Sequence, residues 1–265
     1  MKNYFLKSSL LLALIMTMTI SCKKNVEETI PDNTDLKTEK TELHDAFSCK
    51  MLVNNDGGPA TEANGYARKR WVNGSIVKVR FIGGSTLFRN KVIQYAKTWE
   101  PYANITFSFV ADNAAADVKV AFEDDGYWSY MGTDSRSATT SMNYGFDAST
   151  DETEFRRVIT HEFGHALGLE HEQSHPDSNI PWNKQAVYNY YMGSPNFWTK
   201  SEIDFNVLSV NSRTGLNYNA YDTKSIMHYP VQARFTTNNK VIASNNTTIS
   251  QGDIAYVRTY YPGRN

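Results

Sequence analysis

One unbroken apolar run, Ser9 to Ile20 (SLLLALIMTMTI), stands near the start of the chain behind Lys2 and Lys7. It has the length of a signal-peptide core and falls short of the roughly 20 residues a membrane-spanning helix needs. From Lys23 to Leu43 apolar patterning stops, and the polar, charged stretch KKNVEETIPDNTDLKTEKTEL reads as a flexible tether. His44 to Lys69, with the run Asn54-Asn55-Asp56-Gly57-Gly58-Pro59, offers few strand-like stretches and reads as an irregular segment ahead of the main domain.

Regular patterning begins near Tyr66. Val77, Val79 and Phe81 alternate with Lys78 and Arg80, as on a half-buried strand. Phe88, Val92, Tyr95, Ala96 and Trp99 recur at helical spacing and stop before Pro101. Ile105, Phe107 and Phe109 alternate, as do Val118, Val120 and Phe122, which gives two more strands around a polar turn from Asp112 to Ala116. Ser137 to Tyr144 (SATTSMNY) is polar on both faces, which suits an edge strand.

Ser149 to Glu154 supplies N-cap and first-turn acids, and Phe155, Val158, Ile159, Phe163, Ala166 and Leu167 then keep a helical period. The spacing predicts a helix from Glu152 to Leu167. His161 and His165 stand about 40° apart on it, with Phe155, Ile159, Phe163 and Ala166 gathered on roughly the opposite side. Gly168 ends the helix, and a left-handed glycine there turns the chain so that His171 comes back toward the two helical imidazoles. Three neutral imidazoles can hold one Zn2+ and leave its fourth position for water, as catalytic zinc sites do. Glu162 lies beside these ligands. The pattern H-E-x-x-H-x-x-G-x-x-H arises by composition alone with a probability on the order of 10⁻⁵ in a chain of this length.

Composition narrows the choice. The 265 residues, 40% hydrophobic and 21% charged, suffice for an ordinary buried core. Lys+Arg 27 against Asp+Glu 28 leaves a formal charge of −1, so there is no electrostatic footprint for nucleic acid or an anionic membrane surface. Two cysteines, Cys22 and Cys49, make no disulfide framework, and neither lies in the half that holds the histidine pattern. A metal there is expected to rest on His and carboxylates. Thr19-Ile20-Ser21-Cys22-Lys23 resembles a bacterial lipobox, which would make Cys22 the lipidated first mature residue. The expected organisation is a signal peptide at 1–21, a disordered tether at 22–43, a pro-segment at 44–65 and a catalytic domain at 66–265. Membrane contact is expected only through the lipid at Cys22, at the outer membrane or cell surface, with plain secretion as the alternative.

His161-Glu162-Phe163-Gly164-His165-Ala166-Leu167-Gly168-Leu169-Glu170-His171 resembles the zinc signature of the metzincin metalloproteases, and Ser225-Ile226-Met227-His228-Tyr229 resembles their Met-turn. Glu172, its continuation Gln173 to Asp177 and the S-x-M-H-Y form of the Met-turn point within that clan to the astacin family. Trp71-Val72-Asn73-Gly74 is similar to that family's domain start, Tyr127 to Gly132 (YWSYMG) to its C-W-S-Y-V-G segment, and Ser250 to Ile254 (SQGDI) to the start of its C-terminal helix. The catalytic region has no cysteine, so the two disulfides usual in animal astacins are absent, and Ser178-Asn179 stands where the family often continues with arginine and acids.

The resemblance implies an α+β, two-lobed metzincin-like zinc protease. Its N-terminal lobe would carry a twisted mixed sheet with helices, and its C-terminal lobe would be mostly irregular with a terminal helix around Asp253 to Tyr261. It further implies a monomeric endopeptidase with one catalytic Zn2+ on His161, His165 and His171, Glu162 as general base, Tyr229 as oxyanion stabiliser and Met227 as packing beneath the imidazoles. Protein or peptide substrates would lie extended along the edge strand near Ser137 to Tyr144. Glu172 would receive the new N-terminus after pro-segment removal, and Arg234 is a candidate for favouring acidic side chains after the scissile bond. His175 and His228 read as local hydrogen-bonding groups. The family's pro-segments commonly block zinc with an aspartate in F-x-G-D, whereas the nearest match here is Phe47-Ser48-Cys49-Lys50. Cys49 is therefore a candidate thiolate switch, with an inert cysteine, or Asp45 or Asp56 in its place, as the alternatives. Two readings without turnover fit less well: a zinc-bearing adhesion module has no need for Glu162 or Tyr229, and a non-metal carbohydrate-binding protein would explain the abundant Tyr and Trp, yet these are scattered through core-like periodic segments.

Overall fold

The computed structural model describes residues 49–54, 69–213 and 219–264. The expected signal peptide, Cys22 and the tether lie outside these residues, as does the expected pro-segment apart from 49–54. No helix among the described residues is long and apolar enough to cross a membrane.

Six strands form one mixed sheet: β1 (Cys49–Leu52), β2 (Ile76–Ile82), β3 (Thr106–Phe109), β4 (Val118–Ala121), β5 (Tyr127–Tyr130) and β6 (Met142–Tyr144). Their spatial order is β1-β5-β6-β4-β2-β3. β2 lies between β3 and β4, parallel to both, and turns Val77, Val79 and Phe81 into the core as its alternation requires. β4 runs parallel to β6, and β6 runs antiparallel to β5.

Two expectations change here. The segment ahead of the domain contains a strand, β1, laid parallel along β5 in the register Cys49↔Tyr127 to Leu52↔Tyr130. The edge strand expected at Ser137 to Tyr144 is instead the interior strand β6, fully buried between β5 and β4. Its polar residues are satisfied by neighbouring segments of the chain. Asn143 accepts from Glu123 N at 2.8 Å and donates to the carbonyls of Glu123 and Gly126, both at 2.9 Å, while Ser141 Oγ accepts from Lys119 N at 2.7 Å. A polar side chain with every partner supplied is no sign of exposure. At that end of the sheet β5 would be the edge strand without β1, and β1 covers it.

Helix α1 (Thr86–Ala96) continues as a 3₁₀ turn through Trp99, and α2 (Glu152–Ala166) packs beside it. Val92, Ala96 and Trp99 from the first, Phe155, Ile159 and Phe163 from the second, and the inward residues of β2 make one core. Asp151 caps α2 by accepting from Glu154 N at 2.8 Å. Gly168 takes φ +92°, a left-handed conformation that side chains rarely adopt, and reverses the chain. The face of α2 that carries the histidines is buried as well, because the chain beyond Gly168 folds over it.

That second lobe holds α3 (Lys184–Met192), which Asn183 caps, and α4 (Lys200–Ile203), which runs into a π-helical turn at Asp204–Leu208. Helix α3 and the π turn had no expectation behind them. Val187, Tyr191, Trp198, Ile203, Val207 and Phe235 form the lobe's core, and Cys49 and Tyr229 belong to it. The terminal helix α5 (Gln251–Tyr260) begins at a capping box between Ser250 and Asp253. Tyr261 then ties this end of the chain to α2 by donating to Leu167 O at 2.6 Å.

Candidate active site

Helix α2 carries His161, Glu162 and His165 into the junction of the lobes, and the turn at Gly168 returns His171 to them. Backbone carbonyls fix the imidazoles: His161 Nδ1 donates to Ile226 O and His165 Nδ1 to Leu169 O, each at 2.8 Å, while the His171 ring bonds the Asn206 backbone. Donation from Nδ1 leaves the lone pair of each imidazole on Nε2, facing inward. Nε2 of His165 lies 3.1 Å from Nε2 of His171, and Nε2 of His161 is buried without a protein partner. Burial, and then the neighbouring imidazole of His165, hold His161 and His171 well below the ordinary histidine range, and burial lowers His165 to about 4. All three are therefore neutral at pH 7, the form that binds metal.

The fourth member of this group is Cys49. One ligand atom from each of Cys49, His161, His165 and His171 lies within 4.8 Å of the others, and all four residues are buried. This corrects the expectation that a metal here would rest on His and carboxylates: the polar N-terminal segment folds back along β5 and brings its thiol across. Facing lone pairs, an orphaned buried Nε2 and a thiol make a donor set that suits Zn2+, which favours imidazole and thiolate in four-coordinate sites.

Around the donors stand the two residues expected to do chemistry. Both carboxylate oxygens of Glu162 are buried without a hydrogen-bond partner. Burial pushes its pKa up to about 8, against the pull of the Cys49 thiol and the Arg157 charge, and a divalent cation beside it would restore the carboxylate. Tyr229 places its ring centroid 4.5 Å from that of His171, and its hydroxyl is also buried without a partner. Burial raises its pKa well above the ordinary tyrosine value, so the hydroxyl keeps its proton to donate.

The Met-turn seats this group. Asp253 accepts from Ser225 Oγ at 2.6 Å and from Ile226 N at 2.9 Å, and Met227 O accepts from Glu172 N at 3.1 Å. Gln173, wholly buried, accepts from Tyr229 N at 3.1 Å and donates to Asn206 O at 2.8 Å. Asp253 is legible in the sequence at the start of the terminal helix, although not as the anchor of the Met-turn. Gln173 is legible in the sequence only as part of the stretch that continues from Glu172, and Asn206 carries no signal there. His175 and His228 bond locally, His175 to Asn219 O and Asp177 N, His228 to Tyr221 Oη and Tyr229 O. Glu172 accepts from Asp222 N at 2.7 Å at a cavity also lined by Glu170, Asn211 and Asp253. Arg234 lies over the rings of Tyr190 and Phe235, 5.0 and 4.9 Å from their centroids.

The family model Astacin, which describes a family of peptidases, matches residues 63–260. The chain belongs to the astacin family. That family is one of zinc metalloendopeptidases with one catalytic zinc, and the three imidazoles of this astacin are the donor set such an ion requires. The solved structure of myroilysin superposes on it with a TM-score of 0.70 at 45% identity, covering 74% of this chain and 97% of the other. Zinc metalloproteinase nas-30 of Caenorhabditis elegans is 28% identical over 162 residues, 60% of this chain and 19% of the relative. Serralysin A of Dickeya chrysanthemi is 37% identical over 89 residues, 28% of this chain and 19% of the relative. The astacin thus spans about a fifth of the length of these curated relatives.

Proposed function

We propose that this astacin hydrolyses internal peptide bonds of proteins held extended in the cleft between its lobes, with Glu162 as general base and Tyr229 as oxyanion stabiliser, and that it is made as a latent proenzyme. The observation that carries the reading is the convergence of His161, His165 and His171 on one point beside the buried, unpartnered Glu162 carboxylate. Bound by those imidazoles, zinc supplies Lewis acidity, polarising a carbonyl and lowering the pKa of water toward about 7. Glu162 takes the proton from the attacking water and delivers it to the leaving amine, which requires a carboxylate within hydrogen-bond reach of both. Tyr229 donates its retained proton to the oxyanion developing on the scissile carbonyl. The dry surroundings of both groups strengthen these interactions.

Latency follows from β1. A thiolate from Cys49 completes a closed donor set, which leaves no position for water. β1 pairs with β5 in the parallel sense, and a segment to be cut is taken to run along that edge in the opposite sense, antiparallel to it, so that β1 covers the edge in a direction unlike that of a substrate. Release would come from cleavage between Asn54 and Lys69, after which Glu172 would receive the new N-terminus in its cavity. Export, with Cys22 as a lipid anchor and 23–43 as the tether, places the activity outside the cytoplasm, and the domain acts as a monomer on protein or peptide substrates.

The test is casein hydrolysis by full-length protein activated by limited proteolysis, with zinc measured on every sample. Wild type should cleave, lose activity on chelation and regain it with zinc, while zinc-loaded Glu162→Ala should be dead. Zinc-replete, correctly processed wild type that cleaves neither casein nor a broad peptide library would overturn the reading.

A further inference from the structure

Next to the metal donors the cleft already binds a cation. Lys50, one residue past Cys49, sets its Nζ 2.9 Å from Glu202 Oε1 and 5.2 Å from the centroid of the Trp198 ring. The receptor for that ammonium is held in place by other contacts. Glu202 Oε2 accepts from Thr199 N at 2.7 Å and from Thr199 Oγ1 at 2.9 Å, so the start of α4 orients the carboxylate and leaves Oε1 aimed into the cleft. Trp198 is buried, with Tyr191 packed on it at 5.2 Å between centroids. The same wall addresses the backbone of the strand between the lobes. Asn206, on the π turn, accepts from Met51 N at 3.0 Å and is itself fixed by donating to Glu202 O at 3.1 Å.

We propose that Glu202 and Trp198 form a substrate subsite for a cationic side chain, lysine or arginine, on the amino-terminal side of the scissile bond. The inference rests on the reading of residues 49–52 as an occupant of the substrate cleft. Lys50 pairs with Trp128 on β5, and cross-strand partners share a face of the sheet. Any strand bound along β5 therefore turns the residue opposite Trp128 toward the same wall, whichever way it runs. β5 leads away from the metal donors, since its first residue, Tyr127, pairs with Cys49. A substrate antiparallel to β5 approaches the donors with its carboxyl-terminal end, so its residues along β5 precede the bond to be cut. A fixed carboxylate and an indole face together recognise an ammonium or guanidinium through an ion pair and a cation–π contact.

The test is a positional scan on zinc-loaded full-length protein activated by limited proteolysis. Peptides carry Lys or Met in turn at each of the three positions before one scissile bond, and kcat/KM is measured for each. Wild type should favour Lys over Met by about fivefold at one of the three positions, the scale of an exposed ion pair with a cation–π contact. Glu202→Gln, whose amide can still serve the capping box, should cut that ratio to the about twofold that the indole face alone supplies, and Glu202→Lys should turn it in favour of Met. Cleavage with no cation preference at any position, or a preference that Glu202→Gln leaves unchanged, overturns the subsite and leaves the peptidase reading standing. An activated, zinc-replete chain that cuts none of the peptides overturns that reading, and the subsite with it.

Discussion

The Met227 sulfur occupies the space that a side chain at Gly164 would need: a Cβ at that glycine would lie 2.3 Å from Sδ and 3.3 Å from the Trp99 ring. Gly164 stands between Glu162 and His165 on α2, so the absence of a side chain there lets the Met-turn close against the metal-donor helix. Met227 is buried, and its own backbone is fixed by Ser225 and Glu172, so it has little room to retreat. Gly164→Ala should therefore destabilise the zinc-loaded protein by about 1–3 kcal/mol, the usual cost of overpacking. Thermal unfolding of Gly164→Ala, Met227→Ala and the double variant checks this. The two changes should be strongly non-additive, because the smaller side chain at 227 vacates the site of the clash.

Tyr229→Phe removes one hydroxyl and keeps the ring against His171. A donor used only as the oxyanion develops should show in kcat, with a loss of about 10²–10³-fold, the range for removing one such donor. KM and zinc content should stay near wild type. A variant that keeps kcat within a few-fold of wild type would assign Tyr229 to packing alone.

Cys49→Ala opens the donor set without touching the three imidazoles. Full-length, zinc-loaded Cys49→Ala should cut a small peptide without prior processing, while wild type remains silent until residues 49–54 are removed. Zinc should stay at one ion per chain in both. Equal latency of the two proteins would show that β1 blocks the cleft by its backbone and not by its thiol.

The buried ion pair Lys69–Asp134 holds Asn54 and Lys69, the two ends of the stretch proposed for activation cleavage. Asp134 also accepts from Asn54 N at 2.9 Å, and Lys69 donates to Asn54 O at 3.0 Å. Removing one partner strands the other charge, which typically costs about 3–5 kcal/mol. Asp134→Ala should lower the unfolding free energy by that scale. The double change Lys69→Met, Asp134→Leu, which leaves no charge behind, should cost less. Urea denaturation of the full-length protein measures both.

The parts of the molecule legible in the sequence are those whose cause is local. The period of Phe155 to Leu167 sets α2, the glycine at 168 sets its end, and the spacing of three histidines sets the donor group. Elements whose cause is distant are hidden in the chain order or misleading there. Asn143 and Ser141 look solvated because their partners, Glu123, Gly126 and Lys119, arrive from other segments. β1 has four residues, too few to show a period, and gains its hydrogen bonds from β5 and Asn206, the burial of Met51 from Met131 and Phe205 and that of Cys49 from the core of the second lobe. Gln173, part of a family-like stretch in the chain order, and Asn206, unremarkable there, become a link to the Met-turn only when both lobes are in place.

The covering of β5 by β1 has a consequence for handling as much as for catalysis. A sheet edge with free amides and carbonyls pairs with whatever extended chain reaches it, including the edge of a second copy. Residues 49–52 thus guard that edge against self-association, and if they leave on the proposed activation, the backbone row of β5 becomes a surface on which two copies can cross-pair and precipitate. Stored preparations should keep better with the segment attached than without it, and an added extended peptide should protect the processed form.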